Sequence, residues 1–334
     1  MKAEEIFVYY APELKTVEDE LLAIFDSATV LIPIIGKHII NGGGKRIRPL
    51  FLLMASDLCG YRGKDRALFG AIIEAIHTAS LLHDDVIDEA ETRRGKTSAH
   101  KIWGNHVVVL VGDYLYSNSL RLAVSKQNQK IMETLSEATT RMTEGEILQL
   151  NKTGDPSITL DDYYKIISAK TGILISAACR IGAVLAGQTD EVEKALAEFG
   201  LKTGIAFQLA DDILDYIALQ DDLGKKLGKD LEEGKITMPM IHLLKVAPSA
   251  EKLEVIKIIE ETAGSGCTKI TAAKRKANLK RITSLFVKYN AIEESFEIAR
   301  GLVEEAKSKL SLLPDSDSKR AILAMADYTL QRRK

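Results

Sequence analysis

Apolar residues in this chain recur at helical spacing. Ile205, Leu209, Ile213 and Ile217 form one stripe, and Gly204, Gln208, Asp211 and Asp215 form a second, polar stripe on the same predicted helix. Residues 64–88 repeat the pattern, with Ile73, His77, Ser80, Asp84 and Asp88 on one face. Hairpin signals are absent, and the β-branched run at 107–111 sits inside a longer helical pattern. Breaks rich in Gly, Pro or charge fall at 41–48, 89–97, 153–158, 221–234 and 263–267. After Pro156, Thr159 and Asp162 have the spacing of a capping box that restarts a helix. No fixed-period repeat or low-complexity linker divides the chain. The pattern predicts an all-α fold, a single domain over 1–334 with ten or more helices.

Composition agrees with long helices: of 334 residues 46% are hydrophobic, only 6% are aromatic and 7 are Pro. A net charge of −2 gives no electrostatic case for a nucleic-acid partner. The first 25 residues mix Glu and Asp with Leu and lack the basic flank and apolar run of a signal peptide. No uncharged apolar run reaches about 18 residues, so no membrane span is predicted. Cys59, Cys179 and Cys267 are odd in number and widely spaced, which predicts reduced thiols in a cytoplasmic protein. The six His residues show no zinc-ligand spacing.

Two Asp-Asp-x-x-Asp clusters, Asp84-Asp85-Val86-Ile87-Asp88 and Asp211-Asp212-Ile213-Leu214-Asp215, each end a long apolar helical stretch. On a helix the first and last Asp lie one turn apart on one face, close enough to share a cation. Carboxylate oxygens suit Mg²⁺, whose shell is usually completed by water and substrate phosphates. Acidic clusters often belong to solvated helix faces, and no chemistry is assigned to Asp161-Asp162 or Asp221-Asp222. The two named clusters differ because cations accompany them. Gly42-Gly43-Gly44-Lys45-Arg46-Ile47-Arg48-Pro49 is a flexible turn whose glycines allow close approach to an anion and whose Arg side chains can grip phosphate. Arg93-Arg94-Gly95 follows the first cluster, Lys225, Lys229 and Lys235 follow the second, and Lys170-Thr171 lies in a helical segment.

Six ordered motifs make the chain resemble the trans-isoprenyl diphosphate synthases, the polyprenyl synthetase family, over nearly its whole length. They are residues 43–49, 77–85 through Arg93-Arg94-Gly95, Gly112-Asp113-Tyr114-Leu115, Lys170-Thr171-Gly172, Phe207–Asp212 through Tyr216, and Gly228-Lys229-Asp230-Leu231 through Lys235-Ile236-Thr237. One departure is Lys226, where relatives often carry Pro. The resemblance implies the type I isoprenoid synthase fold, a single large helical bundle around a central cavity, and a homodimer. It also implies head-to-tail condensation of isopentenyl diphosphate onto an allylic diphosphate, with Mg²⁺ as cofactor, three ions when the allylic diphosphate is bound. By the same residue-by-residue match Asp84, Asp88, Asp211 and, directly or through water, Asp215 hold the metal, with Asp85 and Asp212 supporting. Arg93, Lys170, Lys225 and Lys235 add donors to that diphosphate, and Thr171 and Gln208 turn oxygen dipoles toward the allylic cation. Lys45, Arg48, His77 and Arg94 bind isopentenyl diphosphate. His77 shares the face of Asp84, whereas His83 lies off that face and is read as structural.

The growing product is expected to run from Asp84 back along its helix. Ala79 and Ser80, one turn before the cluster, are small where shorter-chain relatives often carry an aromatic. Residues 64–88 span about 37 Å as a helix, room for about seven isoprene units. Ile73 or Ile76, or Met142 and Leu148 on a neighbouring helix, are candidate stops. The expected product is long, about C35 to C40, of the quinone side-chain type. The alternatives are a farnesyl or geranylgeranyl diphosphate synthase, a non-catalytic subunit of a two-component synthase, a class I terpene cyclase and a helical metal-binding protein. Both intact clusters argue against a non-catalytic subunit, and the second argues against a cyclase. Residues 44–48 argue against mere metal binding.

Overall fold

The computed structural model describes residues 2–93, 95–217, 228–263 and 271–331. In chain order its helices are α1 (Ala3–Tyr9), α2 (Ala11–Ile24), α3 (Leu31–Ile40), α4 (Ile47–Leu58), α5 (Asp65–Ile87), α6 (Ala99–Trp103), α7 (Asn105–Val124), α8 (Gln129–Lys152), α9 (Leu160–Ile167) and α10 (Ile173–Leu185). There follow α11 (Asp190–Ile217), α12 (Lys229–Glu232), α13 (Met238–Val246), α14 (Ser249–Ala263), α15 (Ala272–Lys288), α16 (Ala291–Lys309) and α17 (Asp317–Tyr328). A π-helical turn, Ser168–Gly172, joins α9 to α10. The sequence reading found no hairpin, but one exists: β1 (Thr92–Arg93) pairs antiparallel with β2 (Lys96–Thr97), turning at Gly95 with φ 74. Strands this short cannot show alternation. The predicted capping box is present at the start of α9, where Asp162 N–H donates to the Thr159 hydroxyl and Thr159 N–H to the Asp162 carboxylate.

The described chain forms two compact units. The first comprises Met1–Thr139, Leu174–Gly200 and Leu310–Ala324, and the second Thr140–Ile173, Leu201–Lys309 and Met325–Lys334. In the first, α5 is the central element and packs against α7, α2 and α4. Its inward residues, among them Phe69, Ile72, Ile73, Ile76 and Ala79, are fully buried. Each large apolar side chain so removed from water contributes about 1.5–3 kcal/mol. The helix stops at Asp88 because Glu89 takes a left-handed φ of 49 and Ala90 N–H turns back to Asp85 O at 3.0 Å, closing the end as a Schellman-type cap. Gly112 on α7 admits the His83 ring, since a Cβ there would lie 2.3 Å from His83 Nε2. The ring reaches Val109 O at 3.1 Å and stacks on Tyr116, the structural place expected for His83.

In the second unit Ile205, Leu209 and Ile213 of α11 pack with Tyr163 and Ile167 of α9, Met238 of α13, and Phe296 and Ala299 of α16. Ile217 ends the predicted stripe at 37% exposed. A second core cluster joins Ile158, Ile166, Tyr216 and Leu231 to α13, α14 and α15, with Leu148 packed against it. Gly204 allows close passage of the π-turn, because a Cβ there would meet Gly172 Cα at 2.6 Å. That approach brings Thr171 beside Gln208.

Two stretches meet the length and mean apolarity of a membrane span, which the sequence reading did not expect: Asn105–Ser125 and Leu160–Leu185. The second is mostly buried within the protein, as core helices are. The first buries one face against α5 and leaves Leu110 66% exposed.

Candidate active site

In the first unit the Asp84–Asp88 cluster occupies the last turn of α5. There the unpaired carbonyls give the helix a partial negative charge, so carboxylates are disfavoured unless a cation is near. Asp84 is half-buried and Asp88 exposed, while Asp85 between them is only 3% exposed. Asp85 is held by Arg93 of β1, whose Nε lies 2.8 Å from both carboxylate oxygens and whose Nη2 lies 2.6 Å from Oδ1. Arg93, expected to meet a diphosphate, thus first anchors the inward carboxylate of the cluster. Burial, with the negative charge of Asp84 adding, pushes the Tyr116 hydroxyl up to about 12. A solvent-open cavity of about 660 Å³ lies beside the cluster, lined in part by His77, Thr78, Leu81, Asp85 and Arg93. Lys45 is exposed on the turn between α3 and α4, and Arg48 is half-buried in the first turn of α4. Arg94 lies outside the described residues.

In the second unit Asp211 is exposed, Asp212 is 6% exposed and Asp215 half-buried, all within the last two described turns of α11. Asp212 accepts from the Tyr163 hydroxyl at 2.7 Å and from Gln208 Nε2 at 2.8 Å, and Thr171 Oγ1 donates to Gln208 Oε1 at 2.7 Å. This chain of hydrogen bonds fixes the Gln208 amide with its oxygen toward Thr171. Burial pushes the Asp212 carboxyl up to about 7 despite those hydrogen bonds, which pull the other way. Asp215 accepts from the backbone N–H groups of Lys229 and Asp230 at 3.2 and 3.0 Å. Burial still raises its carboxyl, and it also raises Asp230, with the charges of Asp212 and Asp215 adding. Lys170 in the π-turn pairs with Glu146 at 3.0 Å, and Lys235 with Glu233 at 2.6 Å. Gln208, Asp212, Lys170, Asp230 and Lys235 share a cavity of about 580 Å³. Lys225, Lys226, Asp221, Asp222 and Cys267 lie outside the described residues.

Sequence reading missed Tyr163, Glu146 and Glu233, each partner to a predicted residue. Tyr163 left one trace, since a Tyr on the apolar face of α9 needs a partner for its hydroxyl when buried. The chain-length pair divides in the structure: Ala79 has no exposed surface, whereas Ser80 is half-buried with its hydroxyl donating to His77 O at 2.8 Å. Among the described residues no group of three or more His, Cys, Asp or Glu converges to hold an ion unaided. The donor set nevertheless fits Mg²⁺: carboxylates at the negative end of α5, and a crowd of carboxylates on α11 and α12 held above their ordinary range by burial and by one another's charge. Carboxylates of this kind bind Mg²⁺ together with water and phosphate.

A helical scaffold that presents Asp-rich turns beside Arg, Lys and His has the side chains that suit a diphosphate ligand. The profile described as Polyprenyl synthetase matches residues 31–275. The chain is 37% identical over 332 residues to octaprenyl diphosphate synthase of Escherichia coli K12, covering 99% of both proteins. Its fold superposes on a decaprenyl diphosphate synthase from Rhodobacter capsulatus with a TM-score of 0.91 at 34% identity, covering 99% of each chain. A polyprenyl synthase from Caulobacter crescentus, solved with calcium and isoprenyl diphosphate, matches with a TM-score of 0.90 at 34% identity over 100% of this chain and 98% of that one. The chain belongs to the polyprenyl synthetase family: it is a prenyltransferase with the all-α type I isoprenoid fold.

Proposed function

We propose that this chain, one domain over 1–334, is a long-chain all-trans polyprenyl diphosphate synthase that condenses isopentenyl diphosphate onto an allylic diphosphate. The observation that carries this reading is the pair of Asp-Asp-x-x-Asp turns, each with its inward Asp held by protein donors and its first Asp turned toward solvent. Full-length similarity to an octaprenyl diphosphate synthase supports the long product, about C35 to C40.

Asp84, Asp88, Asp211 and Asp215 would hold Mg²⁺, as many as three ions with the allylic diphosphate bound. When bound, the metal supplies Lewis-acid neutralisation of the leaving diphosphate. Lys170, Arg93, Lys225 and Lys235 donate to the same diphosphate. Asp85 and Asp212 keep Arg93 and Gln208 in place, and Thr171 and Gln208 present oxygens to the developing allylic cation. Lys45, Arg48, His77 and Arg94 bind the diphosphate of isopentenyl diphosphate. The released pyrophosphate takes the final proton. The unpaired thiols of Cys59 and Cys179 suit a cytoplasmic site, and the exposed apolar residues of α7 suit a homodimer contact rather than a membrane span.

The test is incubation of purified protein with Mg²⁺, farnesyl diphosphate and labelled isopentenyl diphosphate. Magnesium-dependent incorporation into products of about C35 to C40 is expected. No incorporation contradicts the synthase reading, and products ending at C15 or C20 contradict the long-chain part.

A further inference from the structure

The basic turn between α3 and α4 is built around Arg46, a residue to which the substrate-binding scheme assigns nothing. Arg46 takes a left-handed conformation, φ 49 and ψ 42, which is costly for a residue with a Cβ, by about 1–2 kcal/mol. It is also 7% exposed, in contrast to exposed Lys45 beside it. Its Nη1 donates to Glu74 at 3.1 Å, its Nε to Glu18 at 3.2 Å, and its Nη2 reaches Ile40 O at 3.5 Å. Glu74 is itself 4% exposed and precedes His77 by one turn of α5. Burying such a pair gains little stability over apolar residues of the same size, so its value lies in geometry.

The same turn is tied from its other side. Lys96 Nζ donates to Asn41 O at 2.8 Å, and His38 Nε2 lies 3.2 Å from Thr97 O. Since β1 carries Arg93 and Arg93 holds Asp85, a closed circuit runs from α5 through the hairpin to the turn and back to α5 through Arg46 and Glu74. The Gly42–Gly44 run leaves the turn little intrinsic stiffness, with Gly43 and Gly44 both at positive φ. Its shape is therefore set by these ties.

We propose that Arg46 and Glu74 are positioning residues that hold Lys45 and Arg48 in register with His77 for the diphosphate of isopentenyl diphosphate; this rests on the synthase reading above. Arg46, turned inward, fixes the backbone that carries its neighbours Lys45 and Arg48. Removing the Glu74 charge loosens the turn, while Asp85 keeps its direct tie to Arg93.

The experiment compares Glu74→Gln, Glu74→Asp and Glu18→Gln with the unaltered enzyme in Mg²⁺, measuring KM for each substrate separately. Glu74→Gln is expected to raise KM for isopentenyl diphosphate about tenfold, the equivalent of about 1.4 kcal/mol, with KM for farnesyl diphosphate and kcat nearly unchanged. Glu74→Asp should recover part of that loss. Glu18→Gln, whose partly exposed carboxylate is the outer tie, should show the same split at smaller size, and it decides the matter if the Glu74 variants do not fold. Equal changes in both KM values, or a fall in kcat alone, overturn the inference, as does no change. Unaltered enzyme that incorporates no isopentenyl diphosphate overturns the synthase reading itself, and the inference with it.

Discussion

The two Asp clusters share one spacing but not one chemistry. At the end of α5 the inward carboxylate, Asp85, is neutralised by a built-in cation, the Arg93 fork. On α11 the inward carboxylate, Asp212, accepts from neutral donors, Tyr163 and Gln208, and burial pushes it up to about 7. The inward Asp of the first turn thus meets a charged partner, and that of the second meets neutral ones. In both, the first Asp of the motif, Asp84 or Asp211, is more open to solvent than the second. The spacing therefore sorts each motif into a more open first residue and an inward second one held by protein donors.

The largest expected effect follows from the outward residues. Asp84→Ala and Asp211→Ala should each lower kcat/KM by about a thousandfold or more, the loss of about 4 kcal/mol of metal-assisted stabilisation. A drop confined to one cluster would break the symmetry drawn above. Next come the inward pair. Asp85→Asn should lower the unfolding free energy by about 1–2 kcal/mol, a buried-pair loss discounted because Arg93 is 39% exposed. Asp212→Asn should cost less, since an amide oxygen still accepts from Tyr163 or Gln208; thermal melts without Mg²⁺ compare the two. A larger loss at Asp212 than at Asp85 would reverse the contrast.

Tyr163→Phe removes one hydroxyl from Asp212 and should cost about 1 kcal/mol of stability. Its activity should fall several-fold with the KM for isopentenyl diphosphate unmoved, read from steady-state kinetics. The smallest effect on rate concerns product length. Ser80→Tyr should shorten the product, because Ser80 retains open surface. Ala79→Tyr should instead destabilise the fold by about 1–3 kcal/mol, because Ala79 is fully enclosed and a ring there overpacks the helix. Product sizing and thermal melts on both variants separate the two.

The helices bearing the clusters were legible because α5 and α11 are long and strongly periodic, and the capping box at Thr159 because its signal is local. What escaped was set by contacts distant in sequence or too short to show a period. Tyr163 meets Asp212 across 49 positions, and Glu74 meets Arg46 across 28. The hairpin has two residues per strand, and the π-turn at Lys170 reads as ordinary helix. Motif spacing identified the two carboxylate turns. It could not tell that the inward Asp of one meets an Arg fork and that of the other a Tyr hydroxyl and a Gln amide.

The proposed function needs both Asp clusters for metal uptake with the allylic diphosphate. It is tested most directly by titrating Mn²⁺ into the protein with a non-reactive allylic diphosphate analogue, for the unaltered chain, Asp84→Asn and Asp211→Asn. Analogue-dependent metal uptake should be lost in each single variant. Full uptake retained by either one would contradict it.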